Sequence, residues 1–229
     1  MRTVIFDLDG TLADTSGDLI AAANACFRAL GHGDLLDPAG DAATAFAGGR
    51  AMLRLGFGRL GAGWTEAEVD RQYPLLLEAY GADILTHTTL YPGAVEAVEA
   101  LRGQGFAVGI CTNKPAALAE VLTRRLGIRD LFGAMIGADT YHVRKPDPYP
   151  YVQAVELSGG EVGRSFLVGD TVTDVATARA AGRPVALVTF GPEGRGVERL
   201  GPDALLDAFA DLPGMAAGLA GRASVPAQG

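Results

Sequence analysis

Residues Thr3–Thr15 read TVIFDLDGTLADT. Apolar and β-branched side chains run unbroken from Thr3 to Phe6. Asp7 then interrupts them, Asp9 follows one residue later, and Gly10 opens a turn. A short apolar run closed by turn chemistry predicts a fully buried strand over Thr3–Leu8. Side chains two apart on an extended segment point the same way. Both carboxylates are therefore expected to face one small volume, where they repel.

On the C-terminal side of that stretch, Leu19, Ala23, Phe27 and Leu30 form a helical stripe that stops at Gly31. From there to about Ala82 the chain is rich in Gly and Ala, shows helical spacing in AEVDRQYPLLLEAYG and offers no strand. The region 16–85 is expected to be a helical insertion forming a small cap. From Tyr91 the rhythm changes. Pro92 suits the first turn of a helix whose buried face is Val95, Val98 and Leu101. FAVGICT, GAMIGAD, SFLVGD and PVALVTF read as strands, separated by the helical PAALAEVLTRRLG, DPYPYVQAVELSGG and VTDVATARAAG. Strands alternating with helices imply parallel pairing. The predicted fold is α/β: a doubly wound, Rossmann-like core of residues 1–15 and 86–215, with the cap after the first strand. Residues 216–229, small and Pro/Gly-bearing, are expected to be a flexible tail.

The 229 residues are 48% apolar and 20% charged, which suits a globule with a sizeable core. A formal charge of −8 with no basic cluster argues against nucleic acid and anionic membranes as partners. Any anionic ligand must be attracted locally, against the overall field. Cys26 and Cys111 lie far apart without metal spacing, so a reducing compartment is expected. No signal-length apolar segment and no span of roughly 18 apolar residues is present, and the expected location is the cytoplasm. The expected state is monomer or homodimer.

In doubly wound sheets ligands bind beyond the carboxyl ends of the strands, and several strands here end in chemistry. Asp7 and Asp9 close the first. They serve equally as cap or turn residues, or as hard oxygen donors for Mg²⁺, whose charge would also draw in phosphate. SFLVGD ends at Asp170, with Asp174 four residues on, in a helix's first turn where carboxylates are favoured. Capping explains one such aspartate. It does not explain a second acidic pair at a second strand end, and the recurrence favours a metal site. CTNKP exposes Thr112 and Asn113 before a helix that Pro115 can start, which suits either an anion or a simple N-cap. Lys145 sits among prolines in RKPDPYP, either as a solvated charge or with its ammonium aimed at a target.

DLDGT, CTN, KPDPYP and GDTVTD resemble, in order and kind, the four motifs of the haloacid dehalogenase-like hydrolases, from Val4 to about Gly182. LYPGAVEAVEALRGQGFAVGICTNKP is similar to the phosphoglycolate phosphatase branch. The resemblance implies that Asp7 is a nucleophile forming an aspartyl-phosphate and that Asp9 is the general acid, then the base for the hydrolytic water. It implies Mg²⁺ held by the Asp7 carboxylate, the Asp9 carbonyl and Asp170, with Asp174 in support. Gly10, Thr112, Asn113 and Lys145 are implied in substrate binding. A carboxylate attacking a phosphate dianion needs charge neutralisation, which Mg²⁺ and Lys145 would supply. An acid at position 9 favours phosphate esters, since the dehalogenase branch expels a halide that needs no proton.

In FAGGRAML, Gly48 and Gly49 allow close backbone approach and Arg50 suits a second anionic group such as a carboxylate; the alternative is a surface arginine in a loop. The branch usually shows Gly-x-Gly there, where this chain has Ala47 before Gly48-Gly49. Position 173 is Thr where many relatives carry Asn. The expected partner is a small phosphate ester. The leading reading is a phosphatase acting on 2-phosphoglycolate. The alternatives are a broader sugar-phosphate phosphatase or a phosphomutase, and, from another class, a non-catalytic phospho-ligand binder. The last would be marked by loss of Asp7, Asp9 or Lys145, and all three are present.

Overall fold

The computed structural model describes residues 1–222. Along the chain run β1 (Thr3–Phe6), β2 (Ala13–Asp14), α1 (Ser16–Ala29), α2 (Ala42–Phe46), α3 (Gly49–Arg59), α4 (Glu66–Ala82) and β3 (Thr89–Leu90). There follow α5 (Ala94–Gly103), β4 (Ala107–Cys111), α6 (Ala116–Arg125), β5 (Ala134–Ile136) and α7 (Tyr149–Leu157). The chain continues through β6 (Ser165–Gly169), α8 (Val172–Ala180), β7 (Val185–Val188), β8 (Ala204–Leu206) and α9 (Leu212–Ala220). Two compact units emerge, one of Met1–Ala13 with Leu90 onward, the other Asp14–Thr89.

The first unit is built on a six-stranded sheet in the order β5-β4-β1-β6-β7-β8, parallel at every pairing. β1 is central, with Phe6 in register with Ile110 of β4 and with Val168 of β6. All residues of β1, β4 and β6 are buried, as expected of strands covered on both faces. Below them Ile5, Cys111, Tyr151, Val155, Leu167 and Leu187 share one apolar cluster. The Tyr151 hydroxyl meets Ser165 Oγ at 2.6 Å, which satisfies a phenol that burial would otherwise strand. Chain order departs from β1 to β4 on one side and resumes at β6 on the other. This is the topological switch where a crevice opens at the strand ends.

The second unit is helical, in keeping with its sequence. On α1 the buried stripe is Ile20, Ala23 and Phe27, whereas Leu30 is exposed. Phe27 packs edge-on against Phe57 of α3, with ring centroids 5.4 Å apart. Gly56 lets that ring in, because a Cβ there would stand 2.2 Å from Phe27 Cζ. Thr65 and Glu68 form the capping box that starts α4. Asp18 is buried and accepts hydrogen bonds from the N–H groups of Thr86, His87 and Thr88 and from the Thr88 hydroxyl. It thereby ties the segment leaving this unit to the helix that begins it.

Beyond the exposure of Leu30 and the end of β1 at Phe6 rather than Leu8, other features differ from the sequence reading. The chain crosses between units at 13/14 and 89/90 rather than at 15/16 and 85/86. Pro92 lies just ahead of α5, whose N-cap is Gly93 at φ +80°. β8 and α9 are additional elements: Ala204–Leu206 is too short to show a period, and α9 is a short helix that buries Leu212, Ala216, Leu219 and Ala220. Residues 216–220 of the expected tail are thus helical, and its remainder from 223 lies outside the described residues. Arg183, buried, fastens this end by donating to the Ala220 and Arg222 carbonyls.

Candidate active site

Asp7 is the first residue past β1. Its N–H donates to the Val168 carbonyl at 2.9 Å, extending the ladder one residue and anchoring the backbone between two strands. Its Oδ1 accepts the Leu8 N–H at 2.7 Å, and its Oδ2 lies 3.0 Å from Lys145 Nζ. Asp9 stands in the turn beyond, which Gly10 makes possible at φ +79° while its N–H donates to the Ala13 carbonyl at 2.9 Å. The two carboxylates do not share one partner. β1 ends at Phe6, so the alternation of an extended strand does not carry through to Asp9, and its Oδ1 takes the ammonium of Lys114 at 2.8 Å.

At the end of β6, Asp170 accepts the Thr11 hydroxyl at 2.9 Å. Thr171 caps α8 and makes a reciprocal capping box with Asp174. Oδ2 of Asp174 accepts the Thr171 hydroxyl at 2.8 Å and the Thr171 and Asp170 N–H groups at 3.1 and 3.3 Å. Its Oδ1 is 2.7 Å from Lys145 Nζ. One oxygen of Asp174 thus holds the helix start while the other faces Lys145. Gly169 allows this approach, since a Cβ there would fall 2.4 Å from Asp174 Cγ.

Asp7, Asp170 and Asp174 offer three carboxylate oxygens within 4.8 Å of one another, all on buried residues. Lys145, also buried, contributes an ammonium in contact with both Asp7 and Asp174. Fully ionised, the trio sets three negative charges against that one positive, −3 + 1 = −2. Burial drives the Asp7 carboxyl up to about 6, Lys145 opposes that rise, and the charges of Asp174 and Asp9 add to it. Asp170 is pushed well above the usual carboxylate range by burial and by the charges of Asp174 and Asp7. For Lys145 burial works against the charge, but Asp174 and Asp7 outweigh it, so the ammonium is retained. Cys111, at the end of β4, is driven by burial up to about 12 and is not a nucleophile at neutral pH. A cluster of hard oxygen donors whose ionised form has two negative charges in excess fits a divalent cation such as Mg²⁺.

Thr112, at the end of β4, is buried, and its Oγ accepts the Lys114 N–H at 3.2 Å. Asn113 is exposed, and its amide donates to the Lys145 carbonyl at 3.0 Å, tying the two loops together. Asp7, Asp9, Gly10, Thr112, Asn113, Lys145, Asp170 and Asp174 all belong to the first unit. Arg50 belongs to the second, in the first turn of α3, where it is ion-paired with Asp70 and lies 4.5 Å from the centre of the Tyr73 ring. Sequence reasoning passed over Thr11 and Lys114. Both stand inside segments quoted for their neighbours, and neither carries a period or spacing that marks it. Only the tertiary fold, across 159 and 105 residues, shows their partners.

The family model of the haloacid dehalogenase-like hydrolases matches residues 1–182. A phosphoglycolate phosphatase of Mesorhizobium japonicum is 38% identical over 208 residues, which cover 90% of each chain. One from Agrobacterium fabrum is 36% identical over 213 residues, covering 91% of this chain and 89% of the relative. Among solved structures, that of a predicted phosphoglycolate phosphatase from Haemophilus somnus aligns with a TM-score of 0.82 at 25% identity, over 94% of this chain and 97% of the other.

Proposed function

Because the chain belongs to the haloacid dehalogenase-like hydrolases, we propose that its acidic cluster hydrolyses a small phosphate monoester, 2-phosphoglycolate first among candidates, with Mg²⁺ as cofactor. The observation that carries this reading is the buried trio of Asp7, Asp170 and Asp174, three carboxylates gathered around the one ammonium of Lys145. The identity of the substrate is supported by relatives of that name over nine-tenths of the chain.

In this reading Asp7 attacks phosphorus, the P–O bond to the alcohol breaks, and Asp9 delivers a proton to the departing oxygen. A water molecule then gives its proton to Asp9 and attacks the aspartyl-phosphate, releasing phosphate and restoring Asp7. Splitting one displacement into two in this way is the general logic of a covalent nucleophile. Lys145 neutralises charge on the transferring group, and Thr112 with the neighbouring backbone N–H groups offers donors to its oxygens. Asp7, Asp170 and Asp174 would hold Mg²⁺, with the Asp9 carbonyl; when bound, the ion offsets the charge that otherwise opposes anion against anion.

The test is phosphate release from a panel of small esters, with Mg²⁺ and with EDTA. Activity is expected only with the metal and highest on 2-phosphoglycolate. A flat profile across sugar phosphates would replace the substrate, and retention of phosphate on a sugar would indicate a mutase.

Binding of the ion also predicts a pH signature. Without metal, the raised Asp7 carboxyl binds its proton more tightly in the folded state than in the unfolded one. That contribution to stability is present below about 4 and is lost as pH rises through about 6. Mg²⁺ replaces the proton, so its stabilising effect should grow over the same window. At a hundredfold excess over its dissociation constant a ligand adds about 2.7 kcal/mol, roughly 5–10 °C for a chain this long. Thermal melts are expected to show that gain at pH 8 and little of it at pH 5. Equal gains at both would detach the ion from Asp7.

The sequence reading of Arg50 makes a separate prediction. Arg50→Ala is expected to raise KM for 2-phosphoglycolate about tenfold, the size of one charge-assisted hydrogen bond, with little change for an aryl phosphate. Equal changes on both would remove Arg50 as a selector and leave it its contacts with Asp70 and Tyr73.

A further inference from the structure

The site holds a second buried ammonium that the chemistry above does not use. Lys114 is as deeply buried as Lys145, with its side chain 3% exposed, and its Nζ lies 2.8 Å from Asp9 Oδ1. A lysine is rarely buried to this degree unless its charge is matched. The backbone that carries it is fixed on both sides. Its N–H donates to Thr112 Oγ at 3.2 Å, its carbonyl accepts the Ala138 N–H at 2.9 Å, and Pro115 follows as the N-cap of α6. Asp9 lies beyond the last residue of β1, in a bridge with Ala13 and next to a glycine in left-handed backbone. Asp7 is held by the sheet ladder, by the Leu8 N–H and by Lys145.

We propose that Lys114 is a positioning residue for proton transfer: from its fixed anchor beside Thr112 it sets the direction of the Asp9 carboxyl, and it governs departure of the leaving oxygen rather than attack on phosphorus. This inference rests on the assignment of Asp9 as general acid. A misaimed acid slows esters in proportion to their need for a proton. An alkyl ester such as 2-phosphoglycolate expels a basic alkoxide and needs one, whereas p-nitrophenyl phosphate expels a stable phenolate and does not.

Steady-state kinetics on both esters, with Mg²⁺ present throughout, test the proposal on Lys114→Met, Lys114→Arg, Asp9→Asn and the double variant Asp9→Asn/Lys114→Met. Lys114→Met is expected to lower kcat on the alkyl ester on the order of tenfold to a hundredfold more than on the aryl ester, the scale of a group displaced by about 1 Å. KM should stay near its original value, and Lys114→Arg should recover part of the loss. The double variant contains no unmatched charge from this pair, so it keeps the test open if Lys114→Met folds poorly. It is expected to match Asp9→Asn alone, because Lys114 acts through Asp9. A further tenfold loss in the double variant, equal losses on both esters, or a loss confined to KM would overturn the proposal. If Asp9→Asn itself shows no preference between the esters, the assignment of Asp9 fails and the proposal with it. If Asp9→Asn shows the preference and Lys114→Met does not, only the role of Lys114 fails.

Discussion

Asp7→Asn is expected to lower kcat by roughly 10⁴-fold or more, the scale of losing a covalent nucleophile, while the protein remains folded. The two effects separate for a physical reason. Asparagine keeps the shape of the side chain and, through its one oxygen, the contact with the Leu8 N–H; Lys145 loses Asp7 as an acceptor but keeps Asp174 at 2.7 Å. The amide lacks the charge that would bond to phosphorus. It also removes one of the three carboxylates crowded within 4.8 Å, a charge that burial first, and its acidic neighbours second, disfavour. In EDTA the variant should therefore melt at or above the temperature of the original protein. In Mg²⁺ it should gain less, having lost a ligand. Kinetics and melts on the same preparation check both halves. A variant that keeps more than a few per cent of its activity would contradict the role given to Asp7.

Lys145→Met should behave in the opposite way, losing activity and stability together. Methionine fills the stem's volume but leaves Asp7 and Asp174 buried without a cation, where two contacts of 3.0 and 2.7 Å now match them. Breaking a buried ion pair on one side costs about 3–5 kcal/mol, roughly 10 °C in Tm for a chain of this size. Activity should fall on the order of 10²–10³-fold, as when one preorganised electrostatic contact is removed from a transition state. Mg²⁺ distinguishes the two losses. The added ion neutralises the orphaned carboxylates and should restore much of the melting temperature, but it does not replace the ammonium at the phosphoryl group, so activity stays low. Thermal melts with and without the ion, beside kcat, read this directly. Full recovery of activity with Mg²⁺ would reduce Lys145 to a structural counter-charge.

The contrast between these variants follows from features that the amino-acid order reveals unevenly. β1 was legible because Val4, Ile5 and Phe6 run into charge without a polar interruption, and buried parallel strands have that composition. The acidic ends of β1 and β6 were legible for the same reason: a carboxylate at the end of such a run has no packing purpose. What Asp9 does there was not legible. β1 stops at Phe6, two residues short of the expected strand end at Leu8, and the Asp9 carboxylate meets a lysine 105 residues away. Lys114, in a loop beside a proline, reads like any solvated charge until β4 and β1 are placed side by side. The capping box at Thr171 shows another limit, because one aspartate serves helix and site at once and sequence logic treats those as rivals. Further along, β8 is a three-residue edge strand whose partner β7 alone reveals it, and α9 buries two leucines and two alanines among residues with little polar contrast.

Rapid acid quench of a single turnover, with the phosphoryl group of the substrate radiolabelled and Mg²⁺ present, followed by peptide mapping, reads the bond on which these expectations depend. Label is expected on the peptide containing Asp7, appearing before free phosphate and absent from Asp7→Asn. Free phosphate appearing with no labelled protein, or label on any other residue, would contradict it.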